Sequence, residues 1–187
     1  MIMEKIEVQE LVLQGLAECR VSDPEAALKT IRARFPIAQI QLMRADRVAE
    51  KEHLIFAAKS AVRAFTQRYQ RSHNLAVELL VYASCQRQIS RAIQILGLTP
   101  QTREVVLAAF CEKSVPSDLV GRVASVVRGS LDDDVLEITS RKKVRALTDA
   151  YSITRTAMKA SKFPDENEIS VLKRLIIERS ALLTLES

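Results

Sequence analysis

Aromatic residues make up only 4% of this 187-residue chain, and tryptophan is missing. Glycine and proline are also scarce, with four and five copies, which argues for regular elements joined by short connections. The three cysteines, Cys19, Cys85 and Cys111, lie far apart, without a CxxC or a Cys/His cluster. That excludes a disulfide scaffold and a cysteine-based zinc site, and fits free thiols in a reducing compartment. The longest apolar runs fall far short of a membrane span. The opening "MIMEKIEVQE" is charged throughout and has no signal-peptide core. Together these absences read as a cytoplasmic protein without a membrane partner.

Catalytic motifs are missing too. There is no GxxxxGK[ST], GxGxxG or GxSxG, and His53 and His73 sit in no metal-binding spacing. Asp132, Asp133 and Asp134 are consecutive. Such carboxylates do not easily converge on one ion, so they read as a solvated loop or a helix start. No metal or cofactor is expected, and no enzymatic activity.

What is present is a large apolar fraction, 48%, and a formal charge of +5. The first can build a core, and the second permits an acidic or nucleic-acid partner without requiring one. Near-alternation in 6–15 predicts a strand ending at Gly15. Ser22-Asp23-Pro24 predicts a helix start, with Leu28, Ile31 and Phe35 at helical spacing before Pro36. Strands are expected at 37–43, 75–83 and 102–110, and helices from about Ala49, over 86–97 and over 116–129. After Gly129 come an acidic connection, a basic helical segment and an amphipathic helix over 168–185. The expected fold is α/β: one domain over 1–187, with a mixed sheet of about four strands layered with helices over 1–129 and a helical C-terminal part over 130–187.

The stretch "ELLVYASCQRQISRAI" (78–93) raises a question. If Ser84 caps the helix expected over 86–97, Arg87 falls at its third position, against the helix dipole. That makes sense if an anion lies between them, either an internal carboxylate or a phosphate or carboxylate of a partner. Gln86 and Gln88 add neutral hydrogen-bonding groups suited to base or sugar edges. Cys85, at the junction, resembles a nucleophile's position but reads better as a small apolar filler, since no base is evident nearby. The rival to a binding role is a small α/β enzyme acting on an anionic metabolite near Cys85 and Arg87.

"RADRVAEKEHLIFAAKSAVRAF" (44–65), "VELLVYASCQRQISRAI" (77–93) and "IIERSALLTL" (176–185) resemble the smallest widely shared subunit of the KEOPS (EKC) complex. This is the family of the human PRPK-binding protein, and the likeness is strongest to its archaeal members. The resemblance implies a non-catalytic subunit that supports the small atypical kinase/ATPase of KEOPS during threonylcarbamoyl-adenosine modification of tRNA. It also implies contact with the single-stranded 3′ CCA end of tRNA, and indirect association with other KEOPS subunits. The tRNA-end candidates are Arg87, Gln88, Ser84, His53, Lys51 and Lys59, with Tyr69 and Tyr82 as candidates for stacking. The kinase candidates lie on the last helix: Val171, Leu172, Leu175, Ile176, Leu182 and Leu183. Packing on the protein's own sheet is the alternative for most of that stripe. An apolar face meant for a kinase could pair two copies in isolation. One departure is Cys85, where the family often has glycine.

Overall fold

The computed structural model describes residues 1–185. Its centre is a five-stranded sheet. Strands β1 (Ile2–Ile6) and β2 (Gln9–Ala17) form a hairpin, and β3 (Ala38–Arg44) and β4 (Val105–Cys111) complete the order β1-β2-β4-β3. The two-residue β5 (Ser130–Leu131) pairs with β2 through Leu16 and Ala17. Every pairing is antiparallel. The class is therefore the α/β one expected, but the sheet is not mixed.

Helices cover both faces. Helix α1 (Pro24–Arg34) starts where expected: the Asp23 carboxylate accepts the Ala26 N–H at 3.0 Å, and Pro24 takes the first position. Helix α2 (Glu50–Thr66) follows β3, and α3 (Leu75–Ala83) and α4 (Ile89–Leu96) come before β4. Helix α5 (Leu119–Val127) precedes β5. The chain then finishes in α6 (Arg141–Ala150), α7 (Arg155–Ala160) and α8 (Glu168–Leu185).

The strand period sorts the core. Leu11, Leu13, Val106, Ala108 and Phe110 face α2 and α3, while Val12, Leu107 and Ala109 face α1 and α5. All seven β4 residues are buried, as suits a strand covered on both faces. A third apolar cluster lies away from the sheet. It joins Ala49, Ile138, Leu147, Tyr151, Ile153 and Met158 to Val171, Leu172 and Ile176 of α8. This cluster carries the helical C-terminal part.

Residues 75–83 are a helix and not the expected strand. The Asn74 side chain accepts the Val77 N–H at 3.1 Å and caps it. The three aspartates lie beside β2. Asp132 caps a short turn through the Asp134 N–H, and Asp133 Oδ1 accepts from Gly15 N and Gln14 Nε2 at 2.9 and 2.8 Å. They brace β2 and form no cluster on one ion.

Candidate functional site

Helix α3 ends in a tight reversal. The Gln86 N–H reaches back to Val81 O at 3.2 Å, and the Cys85 N–H to Tyr82 O at 3.1 Å. This pair of bonds is the Schellman arrangement, which places one residue in the left-handed region. That residue is Cys85, at φ 54°. Glycine takes this backbone angle without a Cβ clash, so the geometry favours glycine at a position where this chain has cysteine.

Ser84 is therefore the last cap of α3 and does not open α4. It is fully buried, and its hydroxyl donates to Val81 O at 3.0 Å. The opening residue of α4 is preceded by Gln88 as N-cap. Arg87 lies one residue outside the helix, exposed on the link, with Gln88 exposed beside it. The puzzle of a helix opening on an arginine passes from Arg87 to another residue, because the helix starts two residues later. The first-turn cation of α4 is Arg91, which sequence reasoning passed over.

A buried polar node fixes this link. The Ala49 N–H donates to His53 Nδ1 at 3.2 Å, which leaves the ring proton on Nε2 to meet Ala83 O at 2.9 Å. The Tyr151 hydroxyl lies 2.8 Å from Arg47 O and 2.9 Å from Ala83 O, and its ring meets His53 edge-on. One carbonyl at the end of α3 is thus gripped from α2 and from the end of α6. His53 is fully buried, and burial drives its pKa down to about 4. It is a satisfied core histidine and presents nothing to a tRNA end. Tyr82 is also fully buried and cannot stack on a base, whereas Tyr69 is half-buried.

Lys51 is exposed in the first turn of α2. Lys59, also exposed, lies roughly 12 Å further along the helix axis at 1.5 Å per residue, and pairs with Glu4 of β1 at 3.3 Å. Helix α8 closes the same end of the molecule. Cys85 Sγ sits 3.5 Å from Ile176 O, Lys173 pairs with Glu50, and Arg179 donates to the Tyr151 and Ser152 carbonyls. Glu50, at the head of α2, has φ 65°, an uncommon angle for a residue with a Cβ. Arg179, Tyr151 and Arg47 belong to this end, and no motif marked them.

The thiol of Cys85 is not activated. Burial pushes it up to about 12, against a smaller pull from the Arg179 charge. His53, the nearest imidazole in the node, has both nitrogens committed to backbone. Among the described residues no His, Cys, Asp and Glu group is placed to hold a metal, and no helix is long and apolar enough to cross a membrane.

The stripe expected for a kinase mostly faces inward. Val171, Leu172 and Ile176 fill the third cluster, and Leu183 joins the core under α2 and α3. These four are not available at the surface. They pack on helices rather than on the sheet. Leu175 is half-buried, and Leu182 is 52% exposed.

The family model for kinase binding protein CGI-121 matches residues 19–184. The chain belongs to the CGI-121 family. It is also 30% identical over 115 residues to the regulatory protein Cgi121 of Methanocaldococcus jannaschii, covering 62% of this chain and 71% of that protein. The CGI-121 match takes in all four helices that meet at the polar node, α2, α3, α6 and α8. It also contains the Cys85 reversal and the Arg87 link.

Proposed function

We propose that this chain is a non-catalytic subunit of KEOPS. It supports the complex's small kinase/ATPase and recruits tRNA through its 3′ CCA end for threonylcarbamoyl-adenosine modification. The observation that carries the reading is family membership joined to a built link: Arg87 and Gln88 are exposed on a turn whose base is fixed by His53, Tyr151 and the Schellman bonds. A single-stranded end needs cations for its phosphates and polar groups for its base edges. Arg87, Gln88 and Lys51 supply both at one end of the molecule, with Lys59 further along α2. The kinase is met by apolar side chains that the core does not use, chiefly Leu182 and the exposed part of Leu175. Other KEOPS subunits are reached through the kinase. No cofactor is required.

The test is binding of labelled tRNA with and without its 3′ CCA, across a salt series. The expected result is CCA-dependent binding that weakens as salt rises, because phosphate contacts release counterions. Equal binding of both tRNAs would remove the 3′-end role. Binding of neither would leave a protein-only scaffold, a reading favoured by the interaction Arg87 already has within the chain.

A further inference from the structure

Helices α7 and α8 flank a small open pocket of about 240 Å³ lined by Arg155, Met158, Lys159, Lys162, Glu168 and Val171. Its floor is apolar: Met158 and Val171 are both buried members of the third cluster. Its rim is cationic. Arg155, Lys159 and Lys162 are exposed, and none of them forms a salt bridge among the described residues. Glu168 is the single carboxylate on the lining.

The wall beside the pocket is held rigid. Arg174 of α8 donates to Glu166 at 2.9 Å and to Ser161 O, so it clamps the segment that joins the two helices. The same guanidinium lies 4.5 Å over the ring of Phe163, which is 62% exposed. An exposed aromatic fixed in advance loses little entropy when a partner covers it. Three cations without ion-pair partners, a small open pocket with an apolar floor and a pre-set aromatic together suit an acidic segment that carries one apolar side chain.

We propose that the α7–α8 pocket docks a short acidic segment of a protein partner, with one apolar side chain seated against Met158 and flanking carboxylates on Arg155, Lys159 and Lys162. This surface differs from the Arg87 link and from Leu182, and it does not rest on the tRNA reading. A nucleic-acid strand would use the cationic rim and a face of Phe163 but not the apolar floor, which sets the acidic peptide apart from it.

Methionine methyl groups give a direct readout. The chain has four methionines, Met1, Met3, Met43 and Met158. Met158 lines the pocket, whereas Met43 is fully buried in the core beneath α2 and α3. The protein, labelled with carbon-13 at its methionine methyls, is titrated with three probes: a seven-residue peptide of aspartate and glutamate around one leucine, the same peptide with serine for leucine, and a twelve-nucleotide RNA of mixed sequence. The expected result is a saturable shift of Met158 alone with the leucine peptide. The serine peptide and the Lys159→Glu/Lys162→Glu protein each bind at least tenfold more weakly. Both lysines are exposed, and an unmoved Met43 signal verifies that the variant is folded. A Met158 signal that stays still at millimolar leucine peptide overturns the proposal. RNA binding as tight as the peptide's overturns it in favour of a polyanion surface. Either failure leaves the kinase and tRNA readings to their own tests.

Discussion

His53 and Ala83 are joined by a buried hydrogen bond of 2.9 Å between Nε2 and the carbonyl that closes α3. The bond ties the head of α2 to the link bearing Arg87 and persists in either protonation state, whereas the Ala49 N–H bond to Nδ1 requires that nitrogen to be unprotonated. That gives the node a pH signature.

Burial lowers the folded pKa of His53 to about 4, against an ordinary value of 6.5. Between those values the unfolded chain takes up a proton that the folded chain refuses. The contribution is fully present above pH 6.5 and is lost as pH falls toward 4. At about 1.4 kcal/mol per pH unit it amounts to roughly 3 kcal/mol. Urea midpoints at pH 7, 5.5 and 4.5, for the wild type and His53→Asn, isolate it from other titrating groups. The wild type should lose more stability across this range than the variant. Parallel curves would show that His53 titrates normally in the folded state.

Arg87→Ala should leave stability within about 0.5 kcal/mol, as expected for an exposed side chain. CCA-dependent tRNA binding should fall by roughly tenfold to a hundredfold, the usual worth of 1–3 kcal/mol for a charged contact. The slope of log affinity against log salt should shrink by about 0.7, one single-strand phosphate. An unchanged affinity in a folded variant would falsify the phosphate role and leave Arg87 to its contacts within the chain.

Cys85 sits in the left-handed region with a Cβ, which costs on the order of 1–2 kcal/mol. Cys85→Gly relieves that cost and gives up the partly buried thiol, so stability should change little. Cys85→Val keeps an apolar side chain but puts a β-branched residue at positive φ, and should lose at least about 2 kcal/mol. Chemical denaturation of the two variants decides the matter. Equal losses in both would mean that thiol packing, not backbone angle, governs this position.

Gly121 offers a contrast. It lies inside α5 without a positive φ, and a Cβ built there would meet nothing within 4 Å. Gly121→Ala should therefore stabilise the protein by roughly 0.5–1 kcal/mol. A rise in thermal midpoint is the readout.

How much of this was legible depends on whether local chemistry and packing agreed. At α1 they did: Asp23 and Pro24 mark the start and Pro36 the stop, and the helix obeys them. The last helix, 168–185, was read in full from its apolar spacing. Helix α3 was not, because eight of its nine residues are buried and an element apolar all round shows no period. The overlooked signal was Asn74, a side-chain cap of the sort that preceded α1. Misreading α3 moved the next helix start to Ser84 and placed Arg87 wrongly inside it. The β1–β2 hairpin was also missed. Its turn runs through Glu7 at φ 53° and Val8, with none of the glycine or asparagine that usually announces such a turn. Burial of His53 depends on its contact with Tyr151, nearly a hundred residues away, and no local pattern carries it.

The final helix separates a folding role from a binding role within a few residues. Leu172 is fully buried against Tyr151, Ile153 and Met158, so Leu172→Ala opens a cavity and should cost about 2–5 kcal/mol. Any loss of kinase binding there would follow from damaged folding. Leu182 is 52% exposed on the same helix, so Leu182→Glu should leave the urea midpoint nearly unchanged. If the free apolar surface of α8 meets the kinase, burying that carboxylate without a partner should weaken the complex by tenfold or more. The two variants are compared by calorimetric titration with the purified kinase, alongside their unfolding curves. A Leu182→Glu protein that binds the kinase as the wild type does would place the kinase contact elsewhere, since Val171, Leu172 and Ile176 have no surface left to offer it.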